Sequence, residues 1–402
     1  MRTINIVVAM LNKTSQSITN MKFTSTNKRE TMKLHSLIMR TPAIEENILQ
    51  EMIDLVRVDP SCLSKKNEEG QLPIQKAVWL PIRVHCIHLL AKEGIKYNYR
   101  TGEFGRGTRG GLLAEDPTAK TKVKPNVLQL LVSMVFEECA KGTEETTRIS
   151  NSLAERAYLG AIIKLRESNL FLKQDIVDHG LLFYASHPLC GRLRHDYLTR
   201  WDPDALLTSR YKGLPIIHAI IHRRNIESFS MFFRASFHYH PTKLGLLFQQ
   251  DDDGQLACKR AFDKYGKDET FQVISKYIKF DNDEINDYGD YPSASVKRIL
   301  HIVAKEAPQF MSDFAIRYPN AMSERDENGR TLFQTELGAG GKTFKEEGLH
   351  FLRMTDIQRR ARDPVTGFYP FVMVAVESKS DVSAVFYLLR SSPDLLHMKT
   401  LG

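Results

Sequence analysis

The feature that most constrains this chain is a turn that recurs along it and is followed each time by the same kind of helix start. The turn ends in glycine, and Pro or a small residue opens a short apolar helix soon afterwards. The clearest copies are Asn67–Ala77 and Lys212–Ala219, and fainter copies are Asp251–Ala261 and Asp363–Pro370. A period of about 33 to 40 residues is typical of helical solenoids, which mostly bind other macromolecules.

A second, longer frame links each turn to the helix before it. A proline lies ten residues before the glycine in three copies, Pro60–Gly70, Pro203–Gly213 and Pro319–Gly329, and a fourth copy runs from Pro393 to Gly402 in nine. Because proline cannot continue a helix, we expect it to close the second helix of each unit. Asp or Asn and then Gly supply the turn, since Gly accepts a positive φ and Asp bonds its own backbone.

The segments between the turns predict pairs of amphipathic helices. Pro73, Pro215 and Pro370 occupy the expected first position of a helix, where a missing N–H costs nothing. Alanine lies four residues after the proline or the residue that takes its place in four copies, which allows close helix packing: Ala77, Ala185, Ala219 and Ala261. We count about nine or ten units, starting near residues 31, 70, 119, 147, 178, 210, 252, 293, 327 and 365.

The fold prediction is therefore all-α, an α-solenoid over residues 31–402 of degenerate helix-turn-helix repeats. Loop insertions are expected near residues 98–117 and 238–253, and each contains Gly-Leu-Leu, at 111–113 and 245–247. Residues 1–30 are predicted to be a disordered or targeting leader, because residues 1–29 are basic, rich in Ser and Thr, and free of acids.

Composition excludes some classes of protein. The chain of 402 residues is 42% hydrophobic and 26% charged, which is typical of globular proteins and not of disordered ones. It has no apolar run of about 18 residues, the length that spans a bilayer. A net charge of +8 is mild for this length. Five widely spaced cysteines without a CxxC pair indicate reduced thiols and a cytoplasmic location, with an organelle targeted through residues 1–29 as the alternative.

The pattern resembles ankyrin repeats, whose units open with Thr-Pro-Leu-His-x-Ala after an Asp-x-x-Gly turn. The matching stretches are Leu34-His35, Leu72–Ala77, Leu214–Ala219 and Tyr369–Phe371. The segments 362–371 and 385–390 resemble divergent ankyrin-like proteins of diatoms. The resemblance covers residues 31–400 and implies a protein-binding scaffold. The chain departs from the family pattern at Gln75, which replaces His, at His218, which is one place late, and at Ala257, which fills a Pro position.

The segment Gly338–Thr343 is the strongest enzyme-like signal. A phosphate loop needs backbone N–H groups around the phosphates, and Lys342 and Thr343 match its Lys and hydroxyl positions. The full pattern requires a glycine where this chain has Glu336. The apolar stretch Phe371–Glu377 resembles the strand that carries a metal-binding acid, although the repeat phase places it in a first helix. A nucleotide-binding enzyme around Lys342 stays open as an alternative.

The loop near residues 100–124 suggests a second alternative, RNA binding. It carries the candidate partner-binding residues Arg100, Arg106, Arg109, Lys120, Lys122 and Lys124 beside aromatic residues. Gly105, Gly107 and Gly110 match a dinucleotide fingerprint by letter, but no apolar strand precedes them, and this excludes the site. His238 and His240 have no third metal ligand in a known spacing. The segment 281–287 does not place its residues as a calcium loop requires.

We therefore predict a non-enzymatic protein–protein interaction scaffold without a metal or cofactor, whose partner is a protein; nucleic acid is the less favoured partner. The last repeat ends without a polar cap after it, and solenoids normally have one. This predicts an apolar patch at the C-terminal edge, with association through Leu388, Leu389, Leu395 and Leu396.

Overall fold

A computed structural model of the chain describes residues 33–40, 46–79, 81, 83–97, 108–119, 124–134, 144–187, 192–278, 298–332, 334–335, 361–376, 382–391 and 393. These residues are predominantly helical, in agreement with the all-α prediction. The chain divides into two compact units, residues 1–232 and 233–402. The predicted leader lies outside the described residues.

In its described residues, the first unit contains α-helices of 4 to 24 residues and one two-stranded hairpin. Its elements are α1 (Lys33–Arg40), α2 (Glu46–Val58), α3 (Pro73–Val78), α4 (Ile87–Tyr97), α5 (Val127–Ser133), α6 (Glu144–Glu167), α7 (Lys173–Asp178), α8 (Leu181–Ala185), α9 (Arg192–Trp201), α10 (Ala205–Thr208), β1 (Arg210–Tyr211), β2 (Leu214–Pro215), α11 (Ile216–Arg223) and the start of α12 (Ile226–Tyr239). Short 3-10 helices span Pro60–Leu63 and Val84–Cys86.

Consecutive helices of this unit pack as pairs and in chain order. The helices that come first in their pairs contact one another in the order α1, α3, α5, α8 and α11, and we call them the first helices. The helices that come second in their pairs, α4, α6 and α9, also contact one another in chain order, and we call them the second helices. Each first helix also contacts its own second helix in the pairs α1–α2, α3–α4, α5–α6 and α8–α9. Apolar residues at helical spacing therefore face both the partner helix and the neighbouring pairs.

The second unit repeats the helix pairs. It contains the rest of α12, then α13 (Ala257–Tyr265), α14 (Lys267–Tyr277), α15 (Ile299–Glu306), α16 (Met311–Arg317), α17 (Pro370–Val376) and α18 (Val382–Ser391). Further 3-10 helices span Pro241–Leu246, Pro308–Phe310 and Pro319–Ser323. The pairs α13–α14, α15–α16 and α17–α18 are in contact.

The proline frame has the predicted effect. The helices α2, α9 and α16 end at Val58, Trp201 and Arg317, two residues before the prolines. The residue preceding each proline donates its N–H back to the ending helix, at 2.9 Å, 2.9 Å and 2.8 Å. The proline then allows one more short helical turn before the chain reaches the glycine turn.

One predicted unit boundary is wrong. A repeat start was expected near residue 147, but residues 144–167 form a single helix of 24 residues, α6. This helix is the long second member of the pair that begins with α5. The tyrosine hydroxyl of Tyr158 donates to the carbonyl of Val78 at 3.0 Å and so fixes α6 against the end of α3.

A buried ion pair holds three helices of the first unit together. Arg194 on α9 is 2% exposed, and its Nε donates to Glu155 on α6 at 2.8 Å. Its two terminal nitrogens donate to the carbonyl oxygens of Leu131 and Met134 at the end of α5, at 2.8 Å and 2.9 Å. Because every strong donor has a partner, the charge is tolerated in the core.

The core of the second unit is aromatic. Phe271 lies with its ring centroid 5.2 Å from that of Phe262 and 5.1 Å from that of Phe314. Phe262 in turn meets Phe310 edge-on at 5.6 Å. These rings connect the pair α13–α14 with the pair α15–α16, and such edge-to-face contacts add to the burial of apolar area.

The two inserted loops share one backbone hydrogen bond, but their Gly-Leu-Leu segments are offset from each other by one residue. The carbonyl of Leu112 accepts from the N–H of Leu128, and that of Leu247 accepts from Cys258, at 3.4 Å and 2.7 Å. Both acceptors are fully buried, and both donors lie in the first turn of the next helix. The acceptor is the first leucine of Gly-Leu-Leu in one loop and the second leucine in the other.

Gly110 allows the first of these loops to touch α4. Its φ is +64°, and a Cβ there would overlap the carbonyl oxygen of Ala91. From the other side, a Cβ on Gly94 would lie 2.9 Å from Gly110. We expect Gly110→Ala to destabilise the first unit by about 3 kcal/mol, because it combines a backbone clash with a strained φ. Urea unfolding followed by circular dichroism measures this.

The matched control is Gly160→Ala. Gly160 lies within α6, and nothing is within 4 Å of the position that its Cβ would take. Alanine there should stabilise the protein by about 1 kcal/mol through its higher helix propensity. Equal effects of the two substitutions would contradict the close packing of Gly110.

Candidate functional site at the turn tips

Three turns of the chain have the same geometry. Each begins with Asn67, Asp251 or Asp326, whose side-chain oxygen accepts the backbone N–H two residues later at 3.0, 3.0 and 2.9 Å. The same oxygen accepts the N–H four residues later at 2.8 Å in all three turns. The fourth residue is a glycine, with φ of +78°, +75° and +77°. The sequence predicted these turns, and the structure confirms them.

The two central residues of each turn are exposed. They are Glu68 and Glu69, Asp252 and Asp253, and Glu327 and Asn328. We call these pairs the acidic tips, because five of the six residues carry a carboxylate. A rigid backbone therefore presents negative charge at three points of the chain.

A fourth turn differs in shape and in charge. Strands β1 and β2 form a two-residue hairpin in which Arg210 pairs with Pro215, and Tyr211 pairs with Leu214. Both turn residues have positive φ, +52° at Lys212 and +84° at Gly213, as a type I′ turn requires. Arg210 donates to the carbonyl of Gly213 at 2.6 Å, and this bond holds the turn. We call Arg210–Pro215 the basic hairpin.

Beneath the turns lies a recurring hydrogen bond that starts at the third residue of a first helix. Gln75 is buried, and its amide nitrogen donates to the carbonyl oxygens of Glu115 at 2.7 Å and Ala114 at 3.3 Å, just before the turn that begins at Asp116. Its amide oxygen accepts the N–H of Leu72 at 2.7 Å, which caps the helix. One side chain therefore satisfies its own helix start and supports the next turn.

Two other glutamines make the same pair of bonds. Gln129 accepts from the N–H of Asn126 and donates to the carbonyl of His179, both at 2.9 Å. Gln334 accepts from the N–H of Thr331 at 2.9 Å and donates to the carbonyl of Ala361 at 3.2 Å. Sequence reasoning missed both glutamines, although Asn or Thr followed three residues later by Gln is a readable helix-start signal.

Histidines serve at the same position in other helices. His35 contacts the carbonyl of Lys65 at 2.9 Å, and His301 contacts that of Glu324 at 3.0 Å. Burial lowers the pKa of both imidazoles, so they are neutral at physiological pH and donate through the ring N–H. His218 is also the third residue of its helix, because α11 begins at Ile216 and not at Pro215. His218 is one place late in the sequence pattern, but in the structure it takes the same helix position as the other two histidines.

An ion pair joins the turn at residues 363–367 to Arg330, which follows the turn that begins at Asp326. Two nitrogens of Arg330 donate to the two carboxylate oxygens of Asp363 at 2.7 Å and 2.9 Å. Thr366 adds bonds from its N–H at 2.8 Å and its hydroxyl at 2.7 Å. Burial alone would raise the pKa of Asp363, but the bonds from Arg330 and Thr366 outweigh it and lower the pKa to about 2.

A shallow groove lies between the turn that begins at Asn67 and the turn that begins at Asp116. Its volume is about 220 Å³, and it is lined by Lys66, Gly70, Leu72, Gln75, Ala114, Glu115 and Pro117. The groove combines a lysine, a carboxylate and an apolar floor. The groove adds a concave surface beside the first acidic tip.

Only part of the predicted basic loop falls within the described residues. Arg109 is paired with the buried carboxylate of Asp175, whose oxygen also accepts the N–H of Leu172 at 2.7 Å. Arg109 is therefore engaged within the fold. Lys124 is exposed. Arg100, Arg106, Lys120 and Lys122 lie outside the described residues.

The segments that resemble enzyme motifs lie partly outside the described residues, and the described parts have other roles. Lys342 and the rest of residues 338–343 lie outside the described residues, as does the segment 281–287. The stretch from Phe371 is helical, within α17, so it is not the strand that a phosphate-loop enzyme would need. Gly110 packs against Ala91, which explains this glycine without a nucleotide.

The described ranges contain neither a membrane-spanning helix nor a grouped metal site. No helix in them is both long enough and apolar enough to cross a bilayer. In the same ranges, no three His, Cys, Asp or Glu side chains are grouped as a metal site requires, and His238 and His240 are therefore not part of such a group.

The predicted apolar edge at the C-terminus needs correction. Leu388 is 4% exposed and Leu389 is half-buried, because α18 turns this face toward α17. Leu395 and Leu396 lie outside the described residues. The exposed apolar side chains of this pair are instead Val376, Val382 and Phe386.

Substitution of Gln75 tests the recurring hydrogen bond. We expect Gln75→Leu to destabilise the first unit by about 2 kcal/mol, because it leaves the buried N–H of Leu72 and the carbonyl of Glu115 without partners. Gln75→His should lose much less, since histidine makes this bond at residues 35 and 301. Urea unfolding curves provide the comparison. Equal losses in the two variants would contradict the assigned role.

The Arg330–Asp363 pair predicts a pH dependence. The folded-state pKa of Asp363 is about 2, below the unfolded value of about 3.9. The stability that this carboxylate contributes is therefore complete above about pH 4 and is lost as the pH falls toward 2. Asp363→Asn should cost about 2 kcal/mol at neutral pH, and the difference from wild type should shrink across that acid window. A difference that stays constant with pH would contradict this.

The comparisons with known proteins leave the family open. A scan against models of known protein families finds no match. A search of curated proteins finds no relative. The likeness to ankyrin repeats therefore rests on the residues of the turns and helix starts, and it stays a prediction.

Proposed function

We propose that the chain is an ankyrin-like α-solenoid that binds a protein partner through its turn tips and first helices, without catalysis. The observation that carries this proposal is the repetition of one turn geometry at Asn67, Asp251 and Asp326, with two exposed residues at each tip. A fold that rebuilds the same exposed turn from distant parts of the chain supports a role for the turns as a contact surface.

The rigidity of the turns supports the same conclusion. Each acidic tip is held by two bonds from the side chain of its first residue, and buried glutamine or histidine links lie beneath several of the turns. A surface that is already ordered loses little conformational entropy when it binds a partner. This favours a binding role, because a connection between helices alone would not need such order.

The charges at the tips favour a selective partner. Three tips carry carboxylates, whereas the hairpin presents Lys212. Mixed charge of this kind orients an incoming protein and rejects partners with the wrong pattern. We therefore propose a partner surface with basic groups that face the acidic tips.

The state of the cysteines favours a reducing compartment. Cys62, Cys86 and Cys258 are free and buried, and burial raises the pKa of Cys62 and Cys86 to about 11. They are neutral thiols that pack as small apolar groups. We place the proposed interaction in the cytoplasm on this basis.

Site-specific photo-crosslinking in cells tests the proposed function. A photoreactive amino acid at Glu69 or Asp253, on the acidic tips, should crosslink a discrete protein. The matched control positions are Glu51 on α2 and Glu269 on α14, which are also exposed glutamates but lie on second helices. Crosslinks from the tips alone are the expected result, because each tip is proposed as a point of contact with the partner.

Two outcomes would overturn the proposal. One is crosslinking from the second helices and not from the tips. The other is a chain that yields no protein crosslink at any position while it retains bound nucleotide or RNA.

A further inference from the structure

We infer that the basic hairpin and the end of α11 form a binding site for an acidic peptide segment. This inference rests on the proposed protein-binding function and names the chemistry of one contact within it. The site consists of Tyr211 and Lys212 on the hairpin, Arg223 at the last turn of α11, and Phe183 beneath them.

The aromatic part of the site is rigid. The Tyr211 ring stacks on the buried Phe183 ring, with centroids 3.7 Å apart and planes 14° from parallel. Tyr184 meets Tyr211 edge-on at 5.8 Å. Gly180 lies under the hairpin, where a Cβ would come within 3.2 Å of the Arg210 carbonyl oxygen. The hairpin is therefore fixed against α8.

Two cations flank the Tyr211 ring. The Lys212 ammonium lies 5.6 Å from the ring centroid, and the Arg223 guanidinium carbon lies 5.8 Å from it. Both side chains are exposed. In the part of the chain that the structure describes, their interactions are with this ring, and neither forms an ion pair with a carboxylate. Two positive charges are thus held close together while their hydrogen-bond donors remain available.

The backbone at Lys212 gives an independent reason to expect a function. Its φ of +52° is a conformation that Asn or Gly adopts more readily, and Asn-Gly is the preferred pair for this turn. Lysine therefore destabilises the hairpin relative to asparagine. Unfavourable backbone conformations of this kind persist mainly at binding and catalytic sites.

The chemistry fits carboxylates. A guanidinium presents a planar fork that binds a carboxylate through two parallel hydrogen bonds, and the Lys212 ammonium adds a second point of charge. An extended peptide with acidic side chains a few residues apart reaches both cations.

Single-stranded nucleic acid fits less well. Such ligands bind by stacking bases on open aromatic faces and by neutralising a run of phosphates. One face of Tyr211 is covered by Phe183, and the Lys212 and Arg223 cations lie around its ring, so little open aromatic surface is left for a base. These observations favour the peptide.

Fluorescence anisotropy tests the inference with the full chain and a fluorescein-labelled peptide of alternating Glu and Gly. The peptide should bind at low salt, and Lys212→Asn should weaken binding by about tenfold, as expected when a charge-assisted bond is lost. The melting temperature of this variant should stay equal or rise, because Asn suits the turn. Loss of binding without loss of stability separates a binding role from a structural one.

Arg223→Gln should also weaken binding by about tenfold. Its matched control is Arg200→Gln, since Arg200 is likewise an exposed arginine in the last turn of a helix, α9. The control should retain the wild-type affinity within about twofold.

Three results would overturn the inference: no binding of the peptide, binding that is insensitive to both Lys212→Asn and Arg223→Gln, or tighter binding of an oligouridine of equal charge. The crosslinking at the acidic tips does not involve the hairpin. Failure of this inference is therefore distinguishable from failure of the proposed function.

Discussion

The structure depends on a buried hydrogen bond from the third residue of a first helix to the backbone just before the next turn. The first helices are short, and α3 spans six residues. Such helices are not stable alone, because nucleation costs more than a few intrahelical bonds return. Each of Gln75, Gln129 and Gln334 has two roles: it caps the start of its own helix, and it holds the backbone before the next turn. Local structure and stacking therefore stabilise each other.

This link also bears on the binding role that we propose for the turns. Because the carbonyl before the turn is held from below, the exposed residues at the tip need not contribute to folding. Asn67 forms the bonds that shape the turn, whereas the side chains of Glu68 and Glu69 are exposed, and Glu69 pairs with Lys76 at 3.0 Å. Because the first residue of the turn shapes its backbone, the charge of the two tip residues can change without altering the turn. The same freedom allows Lys212 at a position where the backbone would favour Asn.

The sequence was sufficient to predict the local features and insufficient for those that depend on distant partners. The glycine turns and the prolines that end α2, α9 and α16 follow from single-residue preferences, and they were predicted correctly. The boundary near residue 147 was wrong, because residues 144–167 form one helix, α6, without a turn at that position. The Gln129 and Gln334 links were missed, since their acceptors lie about 50 and 27 residues away.

The two basic regions of the first unit show why charge in a sequence does not locate a binding site. The loop at residues 100–124 has more cations and was the obvious candidate, but Arg109 is engaged with Asp175, which lies 66 residues later. Lys212 and Arg223 are unremarkable in the sequence, eleven residues apart on either side of an apolar stretch. Folding brings both to one tyrosine ring. The availability of a cation for a partner is decided by the carboxylates that the fold places beside it, and this is settled only by tertiary structure.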